Sequence, residues 1–344
     1  MKKHIYIHIR LRQEALMRKR RRRNNVKKQR NKRKRRISSD KRNSRECGYL
    51  SKIYEAIAPP DFSIKNISGI VTFIQKTDKY CRLKRYTYLK VNLDGVMQID
   101  AFGIALIISM LNKLSSRCIN YWGTYPQKYD AKQVIIDSGF LDFVKTNLRK
   151  PTACTSGNQL FMIGKDSVDS RRIGEAVKKA MANLLGKESV YPPVYDNMLE
   201  ISANSVEHAN DNRIDKNWLV SISVEDNKLH FILADTGLGI LANLRKKKYE
   251  IVRDLLTKND AKILCDVFNK KYQSITGEIN RHKGLPFIYE SFNDGFISDL
   301  KVLTNKVMLD FNTQKAEVLY KGFNGVLYSW TVSIDNYNNW INSL

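Results

Sequence analysis

Residues 102–111 read FGIALIISML, a run in which Ser109 is the one polar side chain. It is about half the length a helix needs to cross a bilayer, so its apolar surface has to be covered by protein. The flanks limit how. TYLKVNLDGV (87–96) alternates like a strand and ends in a turn, and CINYWG (118–123) reads as another strand. Between them IDAFGIALIISMLNKLSSR (99–117) predicts a buried helix, with Asp100 near its start as a candidate cap. YDAKQVIIDSGFLDFV (129–144) predicts a second helix running into a short strand. Strand–helix–strand–helix implies an α/β unit over residues 85–146, with a mostly parallel or mixed sheet.

Charge separates the start of the chain from the rest. Residues 1–46 hold 21 Lys and Arg against three acids, a net of +18 out of +26 for all 344 residues. RKRRRRNNVKKQRNKRKRR (18–36) repels itself and has little apolar surface to bury, which predicts disorder for a 1–46 tail. Such a tail fits either nonspecific docking on a polyanion, such as nucleic acid or an anionic membrane surface, or a solubilising extension. No aromatic residue lies within 18–36, so any contact with nucleic acid would be to phosphates, not bases. Five scattered cysteines without a CxxC spacing support neither a zinc site nor a disulfide framework. With no signal-like or membrane-spanning run, the expected place is the cytoplasm.

Residues 47–84 carry no clear pattern, and 147–169 read as a linker or a linking hairpin. From Ser170, RRIGEAVKKAMANLLG is helical and leads through PP into a further helix. NWLVSISVED (217–226) and KLHFILADTG (228–237) read as strands joined by a tight turn at Asn227. LKVLTN, AEVLYKG and GVLYSWTVSI give further strands, ahead of a 336–344 tail. The expected fold is therefore α/β plus α+β, the second half being helices on a largely antiparallel sheet over 170–335.

Three stretches in that half carry chemistry. EISAN (200–204) sets Glu200 and Asn204 four apart, on one helix face. A carboxylate beside an amide fits a general base next to a metal ligand, and it equally fits a solvated face. In ADTGLGI (234–240), Asp235 follows an apolar strand. A carboxylate there can accept from an exocyclic amine, and Gly237 and Gly239 let backbone approach a flat ring; a strand-ending turn explains the same residues. RHKGLPFIYESF (281–292) puts Lys283 and Gly284 before an apolar helix, where N–H groups and a cation can face phosphates.

In this order the three stretches resemble the GHKL ATP-binding domain shared by gyrase, heat-shock chaperone ATPases, histidine kinases and mismatch-repair ATPases. The resemblance implies that Asn204 holds Mg²⁺ against ATP, that Glu200 orients or deprotonates the attacking water, and that Asp235 binds adenine in a pocket shaped by Gly237 and Gly239. It puts an ATP lid at 241–283, with Thr276 and Gly277 inside it, and phosphate contacts at Lys283 and Gly284. Glu207 and His208 have no assigned role. Residues 85–146 resemble the STAS domain of anti-sigma factor antagonists, Asp100, Ala101, Phe102 and Gly103 standing where relatives have Asp-Ser-Ser-Gly. Both serine positions are gone, so phosphorylation at that turn is not expected.

The second glycine box is reduced to Gly284, no phosphoacceptor-histidine helix pair precedes the domain, and no transducer domain follows it. These departures point away from a sensor kinase or a gyrase-type engine and toward a regulatory ATP-binding protein with a protein partner and weak ATPase or kinase activity. The alternatives are a genuine ATP hydrolase with Glu200 as base, or a binding module with a decayed nucleotide site.

Overall fold

The computed structural model describes residues 53–82, 88–116, 119–141, 144, 153–156, 159–165, 167–207, 217–235, 237–247, 259–269 and 284–344. The basic 1–46 segment lies outside them. Residues 52–344 form one compact unit of mixed α/β structure.

Its first layer is parallel. Strands β1 (Ile53–Ile57), β3 (Tyr88–Asn92) and β5 (Asn120–Gly123) pair side by side in that order. Helices α1 (Ile67–Arg82) and α2 (Ala101–Ser116) make the crossovers. Two crossovers of one hand in one direction place both helices on the same face of the sheet. The unit therefore starts at Ile53, inside the stretch that carries no clear sequence pattern. Short strands β2 (Asp61–Phe62) and β4 (Gln98–Ile99) form a separate parallel pair beneath the start of α2.

Asp100 caps α2: its Oδ1 accepts the Gly103 N–H at 2.8 Å, and its Oδ2 accepts the Ile64 N–H at 2.9 Å. A side chain at Gly103 would put Cβ 2.0 Å from the Phe62 carbonyl oxygen, so the close approach of helix and β2 requires glycine. Helix α3 (Tyr129–Asp137) is not followed by a strand among the described residues. Gly139, at φ +72°, turns the chain, the Ser138 hydroxyl accepts the Phe140 N–H at 3.2 Å, and residues 140–141 are helical.

The second sheet is antiparallel throughout, in the order β10-β11-β9-β8-β7-β6. Its strands are β6 (Ala153–Ser156), β7 (Gln159–Lys165), β8 (Asn217–Glu225), β9 (Lys228–Asp235), β10 (Ser298–Asp310) and β11 (Lys315–Val332). Strands β6 and β7 come from the stretch read as a linker or hairpin and form one edge. The β8–β9 turn has Asp226 and Asn227 both at positive φ, the backbone hand that matches strand twist in a two-residue hairpin.

The two-residue period divides each strand between two cores. Phe231 and Leu233 of β9 face helices α4 (Ser170–Leu185), α5 (Pro192–Glu207), α7 (Asp260–Phe268) and α8 (Gly284–Asn293). Ile232 and Ala234 face α1 and α2, in a core that continues to Leu89 and Val91 of the parallel sheet. Helix α2 is thus enclosed by two sheets, and every residue from Phe102 to Asn112 is buried. That is why its sequence is apolar all round and not on one stripe. Helix α9 (Ile334–Asn342), started by a Ser333–Asn336 capping box, takes up most of the expected C-terminal tail. Its Tyr337 and Trp340 rings pack on Tyr191. No helix among the described residues is long and apolar enough to cross a membrane.

Candidate functional site

Helix α5 buries Val194, Met198 and Ile201 against the sheet, which leaves Glu200 and Asn204 half-buried, one turn apart. Between them and the sheet stands Ser205. Its hydroxyl lies 2.9 Å from the Ile201 carbonyl oxygen and 3.5 Å from Asp235 Oδ2. A hydroxyl has one hydrogen, and the shorter bond holds it.

Asp235 ends β9 on the α5 side of the sheet, in step with Phe231 and Leu233. Its Oδ1 accepts the Gly237 N–H at 2.8 Å and the Val326 N–H at 3.1 Å. Among the described residues Oδ2 has only the long Ser205 contact, so this oxygen keeps acceptor capacity. Burial pushes the Asp235 carboxyl up to about 6, against the pull of the Gly237 and Val326 bonds and, least, of the nearby Ser205 hydroxyl. It therefore ionises just below neutral pH.

The glycines fit the protein's own groups. A Cβ on Gly237 would stand 3.1 Å from Asp235 Oδ1. Gly239, at φ +88°, would bring one within 2.6 Å of Asn305 Oδ1 and 2.8 Å of Thr304 Oγ1. Those two β10 residues seal the start of α6 (Ile240–Lys247). Thr304 Oγ1 accepts the Ile240 N–H at 2.9 Å, Asn305 Oδ1 accepts those of Leu241 and Ala242 at 3.1 and 3.2 Å, and Asn305 Nδ2 donates to the Leu238 carbonyl at 2.9 Å. The N-terminus of α6 is thereby saturated and offers no anion site.

The N-terminus of α8 is placed differently. The Tyr191 hydroxyl donates to the Phe296 carbonyl at 2.5 Å, tying the end of α8 to the start of α5, along which it packs. The two helices therefore run antiparallel. At about 1.5 Å per residue, the ten residues of α8 return its first turn to the level of Glu200–Asn204. Gly284 is the first residue of that turn; Lys283 lies outside the described residues.

In the segment expected as a lid, α6 and α7 are helices, joined by an Arg245–Asp260 ion pair, and α7 buries Ile263, Leu264 and Phe268. Thr276 and Gly277 lie outside the described residues, as does His208; Glu207 is the last residue of α5. The structure thus brings Glu200, Asn204, Asp235, Gly237 and Gly239 to one end of α5, with the start of α8 beside them. Sequence reasoning missed Ser205, Thr304, Asn305, Gly325 and Val326. Ser205 adjoins Asn204, and the Thr-Asn pair ends the apolar run LKVL; the Gly325–Val326 contribution has no local signal.

The donor set fits a magnesium nucleotide better than a resident metal. No group of three or more His, Cys, Asp or Glu able to hold a metal occurs among the described residues. Mg²⁺ is commonly held by one or two side chains together with phosphate oxygens and water, a need that Asn204 can meet. The open Oδ2 of Asp235 fits an amine donor.

Compared with known proteins, the chain matches no protein-family model and no curated sequence.

Proposed function

We propose that the chain is a cytoplasmic Mg-ATP-binding regulator, with a GHKL-type nucleotide site under α5 and a STAS-like unit on the opposite face of the antiparallel sheet. One observation carries this reading: Asp235 keeps an open carboxylate oxygen at a strand end, 3.5 Å from a side chain of the helix bearing Glu200 and Asn204. The free thiol of Cys265 suits a reducing compartment.

In this reading Asp235, ionised at neutral pH, accepts a hydrogen bond from the adenine amine through Oδ2. The Gly237 and Val326 N–H groups fix the orientation of its carboxylate. The Asn204 amide oxygen takes one magnesium position, and the bound ion neutralises phosphate charge. Glu200, one turn earlier, orients a water or an acceptor hydroxyl and receives its proton. The N–H groups of the first turn of α8 bond the phosphate. With one glycine there, the phosphate cradle is small and turnover is slow. Output comes from nucleotide-dependent ordering of the surface shown to a protein partner.

A fluorescent-ATP titration with and without Mg²⁺, followed by a phosphate-release assay, tests this. Magnesium-dependent binding that Asp235→Asn weakens is the expected result. No binding by the wild-type chain would leave the decayed-site reading in its place, and rapid phosphate release would favour the hydrolase.

A further inference from the structure

Strand β11 connects the N-terminal α/β unit to Asp235 within five residues. Pairing between β10 and β11 jumps from Val307↔Val318 to Asn305↔Phe323, so residues 319–322 bulge out opposite Lys306 alone. The bulge is held from the other face of the sheet: the Gln75 side chain of α1 donates to the Gly322 carbonyl. Next in sequence, Phe323 inserts into the core shared with α1 and α2, where it is 5% exposed. Phe323 and Asn324 line a small pocket with Ile74, Asp78, Ser109 and Lys113. There a Lys113–Asp78 ion pair at 3.5 Å joins α2 to α1.

The following two residues belong to the candidate site. Gly325, at φ +129°, passes so close that a Cβ would lie 2.0 Å from the Asp235 carbonyl oxygen, and its own carbonyl accepts the Thr304 hydroxyl at 3.2 Å. Val326 then donates its N–H to Asp235 Oδ1. Pairing skips again between Asn305↔Phe323 and Thr304↔Val326, so Asn324 and Gly325 form a second bulge, and the chain from Gly322 to Val326 spans at most about 13 Å at roughly 3.3 Å per residue. Close packing at Phe323 and Gly325 leaves this short segment little freedom to absorb a displacement at one end.

We infer that Gln75 is a positioning residue for Asp235: by fixing the bulge of β11 from α1, it sets the backbone N–H that orients the carboxylate, so the N-terminal unit regulates the nucleotide site. Gln75 touches neither Asp235 nor any ligand of it. A displacement of α1, driven by a partner of the N-terminal unit, would reach Asp235 as a change in the Val326 hydrogen bond. This inference deepens the proposed ATP-binding function and rests on it for its consequence, whereas its structural core is measurable without nucleotide.

The test uses the full chain and the variants Gln75→Ala and Gln75→Lys, the latter keeping a donor of similar reach. In the nucleotide-free protein, Gln75→Ala should speed hydrogen exchange at the Val326 amide about fivefold, the weight of one ordinary hydrogen bond. It should also move the Asp235 carboxyl titration upward, because a bond to the ionised form is weakened. Gln75→Lys should restore both toward wild type, which a general loss of packing would not. Fluorescent-ATP affinity should weaken about fivefold in Gln75→Ala and recover in Gln75→Lys. Unchanged Val326 exchange and Asp235 titration in a folded Gln75→Ala would overturn the inference whatever ATP does. Shifted exchange and titration in a protein that binds no ATP would instead uphold the positioning and overturn the nucleotide reading.

Discussion

Ser205 Oγ and Asp235 Oδ2 stand 3.5 Å apart, and this contact joins the end of β9 to the helix that carries Glu200 and Asn204. Thirty residues separate the two in sequence, and the loop between α5 and β8 lies outside the described residues. Side-chain direction brings them together: odd positions of β9 face α5, and on α5 Ser205 follows Ile201, whose side chain packs on that face.

Replacing Asp235 should move stability and function in opposite directions. Its folded pKa, about 6, lies above the ordinary 3.8, so its contribution favours the folded state at low pH and is lost as pH rises through 6. At pH 8 the ionised carboxylate therefore costs up to about 3 kcal/mol, at roughly 1.4 kcal/mol per pH unit. Denaturant unfolding should find Asp235→Asn more stable than wild type at pH 8, with the gap closing by pH 4. ATP affinity should fall about ten- to a hundredfold in the same variant, for loss of a charge-assisted bond. A stable mutant with unaltered affinity would remove adenine from this site.

Glu200 and Asn204 should separate by assay. Glu200→Ala is expected to lower phosphate release by about a hundredfold or more while leaving ATP bound, the usual weight of a positioned base. Asn204→Ala should abolish the magnesium-dependent part of binding. Identical affinities for both variants and wild type, with and without Mg²⁺, would refute a shared role for this helix face.

Asn305 links β10 to the glycine turn, and its φ of +51° tolerates asparagine and glycine better than alanine. Asn305→Ala loses the α6 cap and adds backbone strain, for a combined cost of about 2–3 kcal/mol. Asn305→Gly should cost less: it loses the same cap but takes the positive φ without strain. Thermal unfolding of both variants checks the order; the reverse order would show that the positive φ of Asn305 stores no strain against alanine.

The basic segment should act independently of the site. Deleting residues 1–46 should end retention on heparin or DNA columns while ATP affinity stays within about twofold, since counterion release resides in that segment's charge. Retention with the same salt slope after deletion would place polyanion binding elsewhere.

What was legible in the sequence was local. Alternation marked β3, β8 and β9, apolar content marked α2, and the spacing of Glu200 and Asn204 put them on one helix face. What escaped depends on partners distant in the chain. IYEAI at β1 is a strand because β3 pairs with it, 35 residues later. Thr304 and Asn305 cap a helix that begins 64 residues earlier, and no local propensity records that debt. AEVLYKG and GVLYSWTVSI read as two strands with Phe323 and Asn324 between them; β11 runs through that gap as one strand, Lys315–Val332, paired on both sides.

Enclosing α2 between two sheets also decides how the protein comes apart. Removing residues 53–123 would uncover Phe161, Ile163, Leu219, Ile232, Leu303 and Leu327 together, a contiguous apolar surface that a monomer does not tolerate in water. The helices over Asp235 sit on the other side of that same sheet and lose their support with it. The two halves therefore melt as a single cooperative unit, and the smallest piece that folds with an intact site begins at the first parallel strand.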